Sequence, residues 1–553
     1  MVRYQTAAIL LILAARTAAA QPERNSSIAG RVVNAVTGAP LRRAAVTIVL
    51  DGRDDVRGMA PTDADGQFLL RLLPAGRYRI EVSKPGYAVM NYGARFPSNP
   101  GQIVTVGPNE NKSGLIVRLP QLGAISGSIV AAGGGPAKGA FVQAYRRIYR
   151  RGQLDWSPEG SARANNAGQY RIIHLPAGYY IVSARQREEI ADEKPGPVVS
   201  LEPAPRQVPA LTFHPATPAR GEAAPILLGT ASEAMGINVS IQEMEPIRLS
   251  LPFFGLPGGN SPLVQRANGA LTARPFIPAR IREVNGESGY HLQIATGPER
   301  RFETLALAPG RYVITSATEA TGVLYSARQE VNLTGGTLDV PLYFRPAPSV
   351  KGRIRLEGPN GGALSRMSVR LSGSEIGILR MESAKVQPDG SFSIPAVAAG
   401  VWDLAVDAIP PGGHVKSALL GRTDVLNGGL LVSNDNRDPL EIVVSTVSAQ
   451  LRGRVDDRRA TVVLAAPQGE RAGRPRFFFT AGLDEDASFE FRALPPGAYT
   501  IYAFEELAPQ AWLDPEFLPH YAGLGTPVEL REGRAPEIAV KTIVGSTATR
   551  RVQ

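Results

Sequence analysis

Residues 65–80 read DGQFLLRLLPAGRYRI, and four further stretches follow the same plan: AGQYRIIHLPAGYYIV at 167–182, RRFETLALAPGRYVIT at 300–315, DGSFSIPAVAAGVWDL at 389–404 and ASFEFRALPPGAYTIY at 487–502. In each, an aromatic residue is followed eight positions later by glycine and ten positions later by a second aromatic. The members are Phe68/Gly76/Tyr78, Tyr170/Gly178/Tyr180, Phe302/Gly310/Tyr312, Phe392/Gly400/Trp402 and Phe489/Gly497/Tyr499. The pattern reads as a turn, a short alternating strand, a Pro/Ala-Gly break and a second strand. A spacing kept five times means one structural unit used five times.

Upstream of four of these stretches lies an alternating strand that carries one glycine: Gly30, Gly127, Gly352 and Gly453. Glycine inside a strand marks a bulge or a close backbone approach. The third unit lacks this strand, and Ile247-Arg248-Leu249-Ser250-Leu251 stands in its place. A closing run such as Leu115-Ile116-Val117-Arg118-Leu119 ends each unit just before the next one opens. The units are placed at 27–120, 121–250, 251–348, 349–447 and 448–545, the second being longer because of a charged, Pro-rich loop at 185–210. Short joints limit rotation between neighbours and predict a string of beads. Helical periodicity is confined to two modest candidates, 232–236 and 504–512, and residues 546–553 are expected to fray.

The 58 glycines and 46 prolines are scattered between short Val/Ile/Leu/Tyr runs, as in an all-β chain with many turns. Residues 1–20 read as a signal peptide: Arg3, a nine-residue apolar run at 7–15, then Ala18-Ala19-Ala20 before Gln21. That run is far short of the roughly 20 residues that span a bilayer, so an exported, soluble mature chain is expected in the periplasm, on the outer surface or in the medium. No cysteine is present, which excludes disulfides and a lipid attachment site. The net charge is +10, or +8 once Arg3 and Arg16 leave, with basic and acidic residues well mixed. Such a balance favours anionic partners weakly and lacks the concentrated basic run of a nucleic-acid binder.

The opening strand with Gly30, the Asp65-Gly66-Gln67-Phe68 hairpin and the Pro74-Ala75-Gly76-Arg77-Tyr78 turn resemble the carboxypeptidase regulatory-like domain, a transthyretin-like (prealbumin) β-sandwich. The resemblance is best in the first unit, good in the second, fourth and fifth, and partial in the third. It implies a tandem array of about five prealbumin-like Greek-key β-sandwiches, each of about seven strands, in a superfamily that also contains carbohydrate-binding domains. It implies no catalytic residues, because this domain is an accessory beside a zinc peptidase domain.

Chemistry is scarce in the sequence. None of the five histidines is followed three positions later by Glu, and no His-Glu-x-x-His occurs. No Gly-x-Ser-x-Gly elbow or phosphate-binding glycine loop occurs either. No catalytic residue, metal site or cofactor is nominated, and the protein is not expected to be an enzyme. Acid pairs at Asp63/Asp65 and Asp484/Asp486 read as solvated hairpin turns, with too few ligands for calcium.

Two aromatic segments are candidate ligand contacts. In residues 141–151, followed by Trp156, an extended strand puts Tyr145, Arg147, Tyr149 and Arg151 on one face. That face is either a platform for sugar rings or an acidic polymer, or an ordinary strand with Tyr half buried. A second cluster, with Trp512 and Tyr521, is either a sugar platform or a plug over an open sandwich end. The expected function is glycan binding in the envelope, with a polysaccharide or another envelope protein as partner; a spacer or protein-interaction array without a sugar ligand is the alternative.

Overall fold

The computed structural model describes residues 26–544 except 52–55, 151–152, 187–206, 258–262, 266–270, 274–275, 284–288, 296–301, 306, 360–363, 374–379, 411 and 434–437. The expected signal peptide, most of the 185–210 loop and residues 545–553 therefore lie outside the described residues.

The chain is all-β, and its sheets repeat one plan. In the first sandwich, the opening strand Ser26–Asn34 pairs antiparallel with Gln67–Leu73 and parallel with the closing strand Asn111–Leu119. The facing sheet has Ala45–Leu50 between Val56–Pro61 and Gly76–Ser83, with Met90–Asn91 and Val104–Val106 extending it. The same arrangement recurs around the opening strands Gly123–Val130, Val350–Glu357 and Ala449–Val455. Third in order, Ile247–Ser250 pairs antiparallel with Phe302–Leu305 and parallel with Thr337–Asp339, so this opening strand starts ahead of residue 251. Among the described residues, five principal apolar cores lie between these pairs of sheets.

In the four units that have an opening glycine, it and the first aromatic of the signature are register partners across one strand pair: Gly30 with Phe68, Gly127 with Tyr170, Gly352 with Phe392 and Gly453 with Phe489. A Cβ on Gly352 would lie 2.6 Å from the Phe392 ring, and one on Gly30 would lie 2.7 Å from that of Phe68. The ring thus covers a bare backbone that a side chain would push away. The second aromatic has a different task. The hydroxyls of Tyr78, Tyr180, Tyr312 and Tyr499 donate to the carbonyls of Pro74, Pro176, Ala308 and Pro495, at 2.6, 2.7, 2.8 and 3.0 Å. In the fourth sandwich the Trp402 indole N–H does the same to Ala398, at 3.0 Å. Each buried ring brings the donor that satisfies a turn carbonyl four residues back, which phenylalanine could not do.

The hairpin acids also have structural partners. Asp63 accepts from the amides of Asp65 and Gln67, and Asp484 from those of Asp486 and Ser488. Helical expectations fail at both candidate segments. Residues 232–236 contain the strand Glu233–Ala234, which pairs with the opening strand Gly123–Val130. At 504–512, Phe504 ends a strand and Pro509, which lacks an amide donor, precedes the 3-10 turn Ala511–Leu513.

The beads do not form an open string, because the chain closes on itself. Consecutive sandwiches touch at Leu122–Gly86, Arg220–Glu283, Ala399–Ser326 and Arg476–Leu426. The first sandwich also meets the fifth. The Ile103 amide donates to the Leu483 carbonyl at 2.9 Å, and the buried Asn99 donates to that of Leu507 at 3.1 Å. A Cβ on Gly482 would overlap the Gly101 carbonyl, so the two backbones are in contact. Short joints restrict each turn between neighbours, but complementary loops on the end sandwiches decide that the turns sum to closure.

Candidate functional site

The two aromatic segments singled out in the sequence converge on one place, the contact between the second and fifth sandwiches. Phe141–Arg150 is the strand that carries the first segment; Val142 and Ala144 face the second sandwich's core. Its opposite face holds Tyr145, Arg147 and Tyr149. Tyr145 is buried in a small outer cluster with Ile181 and Phe213, its ring centroid 6.3 Å from that of Phe213. Trp156 is half buried against the same cluster. The Arg147 guanidinium lies over the rings of Tyr179 and Tyr149, at 5.1 and 5.7 Å from their centroids. It donates to the Tyr149 hydroxyl at 3.2 Å and pairs with Asp514 of the fifth sandwich at 3.5 Å. Burial, then a hydrogen bond to the Asp514 carboxylate, pushes the Tyr149 phenol up to about 12. Arg151 lies outside the described residues.

The second segment folds over the outer face of the fifth sandwich. Val462–Pro467 is buried along its whole length, with the main core on one side and a second cluster on the other. Tyr521 is buried in that second cluster, edge-on to Phe504 at 5.2 Å, and Trp512 is half buried against it. The segment is therefore a plug, and neither Tyr145 nor Tyr521 is open to a ligand. The signal for the plug was readable. Val462-Val463-Leu464-Ala465-Ala466 is a continuous apolar run, the mark of a strand covered on both faces. Nothing local pointed to Asp514 or Tyr179 as partners of Arg147.

A second cluster of charge ties the fifth sandwich to the first. Arg492 donates to the Asp51 carbonyl and carboxylate, both at 2.9 Å, and to Glu490 at 2.8 Å. Arg77 reaches Asp51 at 3.5 Å and Asp484 at 3.6 Å, while Lys112 holds Glu485 at 3.0 Å. Opposed charges recur across this contact, and removing one leaves its neighbours unbalanced.

Among the described residues, no cluster of three or more His, Asp or Glu side chains could hold a metal ion. No described helix is long and apolar enough to cross a membrane.

Residues 27–114 match the carboxypeptidase regulatory-like domain family. No curated protein matches the chain. Similar solved structures include the Bacillus anthracis TIE protein, at 13% identity and TM-score 0.17, covering 58% of this chain and 50% of that one. The chain thus spans half the length of that protein. The minor pilin GBS52 of Streptococcus agalactiae has 12% identity and TM-score 0.23, covering 40% of this chain and 96% of the pilin. The shaft pilin spaA of Lactobacillus rhamnosus GG has 10% identity and TM-score 0.21, covering 40% and 98%. In this chain the stretch that matches the carboxypeptidase regulatory-like domain family, residues 27–114, is the first β-sandwich, the one that carries the Gly30–Phe68 register pair.

Proposed function

We propose that the protein is an exported, non-catalytic scaffold, a closed array of β-sandwiches that holds its loops in fixed relation for protein partners. The observation that carries this reading is the joint between the first and fifth sandwiches, made by the Ile103–Leu483 backbone hydrogen bond, the Asn99 side chain on the Leu507 carbonyl and the Arg492–Asp51 pair. A glycan-binding array would keep aromatic faces free. Here the rings weighed for that task pack on each other, on Phe213 or beside Asp514.

Closure is tested by Arg492→Glu combined with Gly482→Val, which inverts one charge and drives a side chain into the Gly101 carbonyl. X-ray scattering of the wild type should give a compact shape, and the double variant a larger radius of gyration with each sandwich still folded. An extended wild-type rod would sink the scaffold reading. A panel of polysaccharides separates it from glycan binding. Arg147→Ala with Tyr149→Ala should leave retention on every polysaccharide unchanged. It should instead raise amide exchange at residues 511–521, with a loss of stability of about 1 kcal/mol for a partly exposed contact. Retention that falls in this variant would restore the sugar platform.

A further inference from the structure

Closure encloses a cleft that neither sandwich end would form alone. It has a volume of about 1460 Å³ and is lined by the first, second and fifth sandwiches. Small-molecule pockets run to roughly 300–1,000 Å³, so this cleft is scaled to a segment of polymer.

Its charges are unequal once pairs are set aside. Of the lining acids, Glu159 pairs with Arg146, Asp484 with Arg77 and Glu485 with Lys112. Arg95, Arg118 and Arg458 also line the cleft, are exposed, and have no ion-pair partner among the described residues. Glu81 is the one lining acid left unpaired in the same sense. Three free guanidiniums against one free carboxylate give the cleft a positive field, and its partly enclosed walls strengthen that field. Tyr87, Tyr92 and Phe96, all half buried, line the same cleft. Tyrosine and arginine together are the residue types that dominate protein–protein hot spots.

We infer that this cleft is a docking site for an acidic polypeptide segment of a partner protein, held by Arg95, Arg118 and Arg458 and anchored on the aromatic side chains that line the cleft with them. The inference rests on the closed scaffold and names the chemistry of its partner. Guanidinium forks match carboxylates two bonds at a time, and the aromatic wall takes an apolar side chain flanked by the acids. Contributions from two sandwiches make binding depend on closure.

The probe is a fluorescein-labelled peptide of eight glutamates around a central tryptophan, titrated into the full chain at low salt and followed by anisotropy. Saturable binding is expected, weakened roughly tenfold between 50 and 500 mM NaCl as screening shortens the reach of the charges. Arg95→Ala, Arg118→Ala and Arg458→Ala together should weaken binding roughly tenfold or more, while scattering shows the array still closed. A closed wild type that does not bind the peptide, or binds it equally well in the triple variant, overturns the docking site and leaves the scaffold standing. An open wild type overturns both. Tighter binding of polygalacturonate than of the peptide, at equal carboxylate concentration and lost in the same variant, overturns the assignment of a polypeptide.

Discussion

Trp402→Ala is expected to unfold the fourth sandwich well before its neighbours. The side chain is fully buried at the centre of that core and is one of the largest in the protein to be so. Truncating a buried Trp removes its transfer energy and leaves a cavity, a loss of about 3–5 kcal/mol. That is a large part of what a single domain of this size possesses. Because the array is multidomain, one melting temperature will not report it. Amide exchange resolved along the chain will, as lost protection across Val350–Glu357, Ser368–Gly373 and Gly400–Asp407. Trp402→Phe separates the two tasks of the residue. It keeps most of the apolar area but leaves the Ala398 carbonyl without its donor, and should cost about 1–3 kcal/mol. If Trp402→Phe behaves like wild type, the hydrogen bond that unites the five second aromatics has no energetic weight.

Gly453→Val should damage the fifth sandwich comparably. A Cβ there would sit 2.6 Å from the Ile538 carbonyl and overlap the Phe489 ring. The ring could swing away only by leaving the core, and the carbonyl belongs to the strand paired in parallel with Ala449–Val455. Overpacking of this kind costs about 1–3 kcal/mol and occasionally more. The fifth sandwich also carries half of the closing contact, so the array should open as well. Phe489→Leu in the same chain should recover part of the loss, since it removes one of the two clashes; the carbonyl remains. A neutral Gly453→Val, measured by urea unfolding and by scattering, would refute the account of why glycine and aromatic occur together.

Much of the build was legible in the sequence. Asp65-Gly66 marks a turn because Gly66 takes φ of 74°, and Gly390 does the same at 87°. The strand glycines were readable as close approaches, though not as partners of the first aromatic, because register is a property of two strands and not of one. Ile247–Ser250 was recognisable as a substitute opening strand by alternation alone, and in it Ser250 stands opposite Phe302 where the other units have glycine. The two short helical candidates failed where strand pairing at Glu233–Ala234 and Pro509 overrode a weak local preference.

The aromatic segments mark the limit. Alternation correctly placed Tyr145, Arg147 and Tyr149 away from the Val142 face, but it could not say what covers them. Their covers are Phe213 and Asp514, one from a later strand of the same sandwich and one from the far end of the chain. By itself the sequence determined the repeat, the all-β class, the inward residues and the turn chemistry, since each depends on neighbours a few positions apart. Only the tertiary structure decided that the ends meet, that the exposed-looking rings are covered and that a cleft opens between three sandwiches. Those outcomes depend on the summed angles of successive joints and on charges hundreds of residues apart, which no local periodicity encodes.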